Sequence, residues 1–243
     1  MNERRSPLTL DRRGALRILS GAAAAAFLRC GGGGGSSVGE SSSVEASSLS
    51  CVVTPEETIG PYFVDERLNR SDLTGGTTRR GVVDGLPLGL ATSVYEVRGG
   101  ACSPLSGVQV DVWHADALGV YSDEAGLGTR GQTFLRGYQV TDEEGAVTFR
   151  SIYPGWYSGR TVHVHVLVRV FDASGSTALQ LATEMYFDDA TTDGVLAAAP
   201  YDSRGRRDRT NATDSLYRGS LEAALARSGE GYDTTFRIGL ETA

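Results

Sequence analysis

Two histidines two residues apart on one apolar stretch constrain this chain more than any other feature. The run Thr161-Val162-His163-Val164-His165-Val166 alternates β-branched and imidazole side chains, and it holds two of only three histidines in 243 residues. Successive side chains of a β-strand point to opposite faces. The pattern therefore predicts a strand over 161–171, with the valines toward a core and His163 and His165 sharing the other face. That spacing suits two cis ligands of one metal ion. Tyr157 lies just upstream, past a Pro154-Gly155 turn. The histidine pair alone is a weak signal, since alternating histidines also serve as exposed polar positions on a half-buried strand.

The rest of the chain supports a β fold. From residue 51 onward no long segment has helical periodicity; short alternating runs are punctuated by Gly, Pro, Asp and Ser. Strands are expected at 88–97, 107–114, 134–140, 146–150, 179–187 and 232–240, with turns at 141–145 and 172–175. Residues 52–65 hold two prolines and read as an extended arm, and 66–80 as a loop. Residues 188–215 read as irregular, with Arg204, Arg206, Arg207 and Arg209 forming a solvated face. A short helix is expected over 216–225 despite Gly219. Many short strands with turn signals imply an all-β fold, an antiparallel β-sandwich with long irregular loops.

The N-terminal fifty residues read differently. Arg12 and Arg13 form a twin-arginine pair ahead of an Ala-rich apolar run to Leu28. A basic region followed by a short apolar one is the pattern of an export signal, and the run is short for a membrane span. Cys30 closes the run, so the chain is open both to lipidation, with a membrane tether through Cys30, and to simple cleavage. Residues 31–50 are a Gly/Ser linker that cannot bury a core. The expected organisation is a signal over 1–30, a linker over 31–50 and one folded domain over 51–243. The expected location is exported: periplasmic, extracellular or lipid-anchored at the cell envelope. Cys51 and Cys102 then form an even pair, read as one disulfide, as an oxidising compartment favours. The net charge is −7, and residues 1–30 carry six Arg against Glu3 and Asp11. The remainder is more acidic still, which argues against a nucleic-acid partner.

Beyond the histidines, three stretches carry a resemblance. They are P-E-E-T-I-G-P-Y-F at 55–63, G-V-Q-V-D-V-W-H-A-D-A-L-G-V-Y-S at 107–122 and Y-P-G-W-Y-S-G-R-T-V-H-V-H at 153–165, with a weaker fourth, T-E-M-Y-F-D, at 183–188. Taken together, the chain resembles the intradiol ring-cleavage dioxygenases, which include the catechol and protocatechuate dioxygenases. The 141–157 stretch by itself is also similar to metal-free prealbumin-like modules for adhesion or carbohydrate binding, which stand as the alternative.

The resemblance implies an Fe(3+) cofactor held by Tyr121, Tyr157, His163 and His165. It implies that Tyr157 leaves the metal when substrate binds, and that Arg160 stabilises negative charge on the ring. The implied substrates are a small catecholic aromatic and O2, and the implied product is a cis,cis-muconate-type diacid. Iron(III) is a hard ion that favours phenolate oxygen and lowers the tyrosine pKa, so the implied ligand set is chemically coherent. Glu184 stands where the family often has Gln, with Gln180 as a candidate substitute. Trp113 and His114 match a family W-H and read as core and hydrogen-bonding residues. Specificity is expected from loops near 62–80, 125–135 and 201–210. Which catechol is cleaved, and whether the chain forms an oligomer, are left open by the sequence.

Overall fold

The computed structural model describes residues 52–78 and 84–242. The expected export signal, linker, Cys30 and Cys51 lie outside the described residues. Cys102 is disulfide-bonded, in keeping with the pairing read from the sequence.

Among the described residues, nine strands form two sheets. The first is built on β1 (Pro87–Arg98), whose even-numbered residues Leu88, Leu90, Thr92 and Val94 face inward and are buried. Along one edge β1 pairs with β9 (Gly231–Glu241), which in turn pairs with β8 (Leu225–Ser228). Its other edge is shared in succession by β5 (Ala146–Ile152) and β2 (Ala101–Pro104). The β1–β9 pairing is parallel, a departure from the antiparallel expectation. The second sheet is antiparallel throughout, in the order β4 (Arg136–Val140), β3 (Gln109–Trp113), β6 (His163–Phe171), β7 (Thr177–Tyr186). Leu88, Leu90, Phe149, Phe236 and Ile238 of the first sheet share one core with Val110, Val112, Val164, Val166, Val168 and Met185 of the second.

Two tight turns, one crossing between the sheets from β4 to β5 and one in the β6–β7 hairpin, use the same device. Asp142 Oδ1 accepts hydrogen bonds from the amides of Glu144 and Ala146, and Gly145 takes the left-handed backbone position at φ 73°. Asp172 Oδ1 likewise accepts from Ser174 and Ser176, with Gly175 at φ 81°. An Asp side chain that mimics the backbone, followed by a Gly free to adopt positive φ, closes such turns without strain.

The 52–65 arm is extended, as expected, and it spans both sheets. Thr54 exchanges hydrogen bonds with Gly239 of β9, and the Glu57 amide donates to Ala182 O of β7. Further on, Asp65 meets Arg169, which also binds Asp111, at 2.9 and 2.7 Å. The arm is thereby pinned across the outer face of the second sheet.

Three expectations are corrected in the C-terminal part. The 188–215 segment contains an α-helix, α1 (Asp189–Leu196). Two threonines and a glycine hide its periodicity, while Asp188 caps it by accepting from the Thr191 amide. The 216–225 segment is no α-helix; it holds a single 3-10 turn, Gly219–Leu221, before β8. The arginine cluster is only partly a solvated face. Arg207 is buried, paired with Asp189 and Asp193 at 2.7 and 2.8 Å, and Arg204 lies 4.9 Å over the Trp156 ring.

Because β1 has neighbours on both edges and its even residues fill the shared core, Leu90→Ala is expected to cost about 2–5 kcal/mol. Val140→Ala, at a half-exposed position, is expected to stay within about 0.5 kcal/mol. Urea unfolding followed by fluorescence compares the two; equal effects would contradict this placement of the core.

Candidate metal centre

His163 and His165 face away from the shared core, yet both are buried. The cover is a second apolar cluster of Trp113, Ala115, Tyr121, Leu167 and Ala182, with Ile59, Tyr62, Phe63 and Tyr157 packed against it. Strand register fixes the neighbours of each imidazole. Trp113 of β3 and Glu184 of β7 lie directly opposite His165, and Tyr186 lies opposite His163. The Trp113 ring stacks on His165 at 4.8 Å and 4°. The His163 Nδ1–H donates to Thr161 O at 2.7 Å, which leaves Nε2 as the free acceptor. The two Nε2 atoms are 3.2 Å apart. Two nitrogens each about 2.1 Å from one ion at a right angle would be about 3 Å apart, so the pair already has chelating geometry.

Two loops bring the tyrosines. Tyr121 follows β3, where Asp116 Oδ1 accepts from the amides of Leu118 and Val120 and bends the chain tightly. Tyr157 follows Pro154-Gly155, ahead of β6. The loops touch backbone to backbone. The Gly155 amide donates to Asp116 O at 3.0 Å, a Cβ on Gly155 would collide with the Ala117 carbonyl, and one on Gly119 with the Trp156 carbonyl. The Tyr121 and Tyr157 rings consequently lie 5.6 Å apart, and the Tyr157 hydroxyl is 3.2 Å from His163 Nε2. Residues 201–210 buttress this loop: Trp156 Nε1 donates to Gly205 O, and Ser158 Oγ to Asp208.

The arm completes the enclosure. Gly60, at φ 69°, passes so close to His165 that a Cβ there would sit 3.0 Å from Cε1. Tyr62 stacks on Tyr121 at 4.3 Å and 19° and meets Tyr157 edge-on. Arg136, buried, donates from Nε to Ser122 Oγ at 2.7 Å, from Nη1 to Tyr62 O at 3.2 Å, and from Nη2 to Ser122 O. One guanidinium thus joins the arm to the Tyr121 loop.

The electrostatics are those of donors awaiting a cation. Burial, with the adjacent Tyr157 phenol, raises Tyr121 well above the usual tyrosine range. Burial raises Tyr157 less, to about 12, because Arg160 opposes it. Burial also lowers both imidazoles, His165 most, with His163 beside it. All four groups are therefore neutral near pH 7. Tyr121 Oη is buried and makes no hydrogen bond, a costly state for a hydroxyl that a metal ion would relieve. The donor set thus fits a hard, multiply charged cation.

Arg160 stands beside this group, bound by two carboxylates. Its Nη1 and Nη2 meet both oxygens of Glu184, and its Nε meets Asp214 Oδ2 at 2.9 Å. Burial alone would raise the Glu184 carboxyl, but His163 and Arg160 hold it below its usual value. The structure brings together Tyr121, Tyr157, His163, His165 and Arg160. It leaves His114 apart: Nδ1 lies 2.8 Å from Ala115 O and Nε2 2.6 Å from Ser151 Oγ, the hydrogen-bonding role read from the sequence. Gln180 is exposed on β7, so it does not replace Glu184. Sequence reasoning gave no part in the site to Gly60, Tyr62, Arg136, Asp214 and Tyr186. The quoted G-P-Y run was a signal for the first two; the others depend on tertiary contact.

The β-sandwich thus buries a tyrosine–histidine cluster on the outer face of one sheet. The chain belongs to the intradiol ring-cleavage dioxygenase family: the family model described as Dioxygenase matches residues 58–209. Among solved structures, it is similar to an intradiol ring-cleavage dioxygenase from Tetranychus urticae, at 26% identity and a TM-score of 0.67, covering 79% of this chain and 95% of that one. It is also similar to the dioxygenase domain of a dioxygenase–carbohydrate-binding fusion from Streptomyces sp. SirexAA-E, at 32% identity and a TM-score of 0.56, covering 79% and 100%. The likeness to 3-chlorocatechol 1,2-dioxygenase from Rhodococcus opacus 1CP, at 22% identity, TM-score 0.55 and coverage of 78% and 73%, shows the shared fold. No curated protein matches the chain.

The backbone contact at Gly155 predicts that Gly155→Ala drives the two tyrosine loops apart. Metal uptake, measured by elemental analysis after reconstitution, is expected to fall several-fold. Gly126→Ala, whose added Cβ would meet open space, should bind as the parent does. Undiminished uptake by Gly155→Ala would contradict the role given to this contact.

Proposed function

We propose that this chain is an iron(III) dioxygenase that opens a catecholic ring between its two hydroxyl-bearing carbons with O2, giving a cis,cis-muconate-type diacid. The residues that would hold the iron are Tyr121, Tyr157, His163 and His165. The observation that carries the reading is the Tyr121 hydroxyl, buried and unpartnered beside two imidazole Nε2 atoms 3.2 Å apart. Bound there, iron(III) would take a catechol through both oxygens and render its ring open to attack by O2.

The protein's own groups divide the remaining work. Tyr121 is fully buried, stacked under Tyr62 and tied through its carbonyl to Thr129 Oγ1, so it is the fixed phenol. Tyr157 is half-buried beside exposed Ser158 and Gly159, with room to swing out. Held as a phenolate by the ion, its Oη would be able to accept one catechol proton. Arg160 keeps a guanidinium next to the histidines and stabilises negative charge on the ring and its oxygens. Trp113, Tyr62 and the Gly60 segment exclude water from the reacting face. We extend the proposal to an exported protein, possession of a disulfide at Cys102 being its support.

Reconstituted protein is expected to bind about one iron per chain, to be red-brown and to consume O2 with at least one member of a catechol panel. His163→Ala and His165→Ala should lose iron, whereas His114→Ala should lose stability and retain the colour. Tyr157→Phe should keep much of its iron but bind catechol more slowly in stopped-flow traces. A protein that takes zinc but shows no charge-transfer band with iron would sink the assignment.

A further inference from the structure

One buried carboxylate beside the histidine pair has no place in the ligand set above. Glu184 is fully buried, and the β6–β7 register sets it opposite His165. Its Oε1 accepts from Arg160 Nη1 at 3.0 Å, and its Oε2 accepts from Arg160 Nη2 and from the Tyr186 hydroxyl. Oε1 also lies 3.4 Å from His165 Nδ1, a buried nitrogen that makes no hydrogen bond. The Nε2 of the same ring points elsewhere, toward His163 Nε2. The carboxylate therefore stands behind the imidazole, on the side away from the paired Nε2 atoms. Trp113 stacks flat on the same ring and limits its tilt.

We propose that Glu184 is a positioning residue for the metal: it holds His165 through Nδ1 and places a buried negative charge one ring away from the ion, favouring the ferric state over the ferrous. The inference rests on the iron reading above. A carboxylate on the outer nitrogen of a ligating histidine fixes the tautomer and strengthens the ligand. A negative charge in a water-poor site stabilises the more positive of two oxidation states. Glu184 competes for another role, because its carboxylate and the two imidazoles offer atoms all within 4.8 Å of one another. To bind the ion directly, however, it would have to give up Arg160 and Tyr186 and leave that guanidinium with Asp214 alone.

The test compares iron-loaded wild type with Glu184→Gln, which keeps the shape and removes the charge. The variant should retain its iron, its tyrosinate charge-transfer band should move to longer wavelength, and its ferric/ferrous potential should become more positive. Tyr186→Phe keeps the carboxylate but removes a donor from it, so its potential should move the opposite way; it decides the matter should Glu184→Gln not fold. Unchanged band and potential in the folded variants would overturn this inference alone. Loss of iron and colour in folded Glu184→Gln would mean that the carboxylate binds the ion itself, which also overturns it. A wild type that binds no iron overturns this inference and the functional reading together.

Discussion

Burial of both faces of β6 is the constraint on which the site depends. A sandwich strand normally packs one face and wets the other. Here the valines of β6 fill the shared core, while His163 and His165 face a second apolar cluster formed by the arm and two loops. Desolvation keeps the imidazoles and phenols neutral, and it leaves the Tyr121 hydroxyl without a partner. Such an arrangement costs free energy until a cation offsets it. Phenolate and imidazole donors in such a shielded cluster would suit a hard, highly charged ion.

Two arginines frame that cluster, Arg136 buried and Arg160 half-buried, and they are handled differently. Arg160 is matched by two carboxylates, Glu184 and Asp214. Arg136 donates to the Ser122 hydroxyl and to the carbonyls of Ser122 and Tyr62, and so acts as a mechanical tie between arm and loop. Positive charge close to the donors would work against a cation, so the pairing of Arg160 with two acids would also protect the affinity of the proposed metal site. The same pairing leaves the guanidinium fixed in direction.

Much of this was legible in the sequence because it follows from short-range rules. The strand and common face of His163 and His165 came from two-residue alternation, and the tight turns at 141–145 and 172–175 from Asp and Gly placement. The place of Glu184 was not legible, for a definable reason. The β6–β7 hairpin reads as a simple turn at 172–175, but the register shifts by one residue between Val170 and Phe171. Without that bulge Thr183 and Met185 would lie opposite the histidines; with it, Glu184 and Tyr186 do. A one-residue slip exchanges the faces of a whole strand, and nothing local in V-R-V-F-D announces it. Helix α1 escaped because its stability comes from the Asp188 cap and from Arg207 bridging to Asp189 and Asp193, a contact 14 or more residues distant. The parallel β1–β9 pairing joins segments far apart in the chain, which no local pattern encodes.

The central claim is that two phenols and two imidazoles, and no carboxylate, surround the ion. A crystal structure of iron-loaded protein with anomalous data across the iron absorption edge tests it most directly. The account predicts a single iron peak within bonding distance of Tyr121 Oη, Tyr157 Oη, His163 Nε2 and His165 Nε2, with Glu184 still bound to Arg160. A peak bonded to a Glu184 oxygen, or one with neither tyrosine in reach, would contradict it.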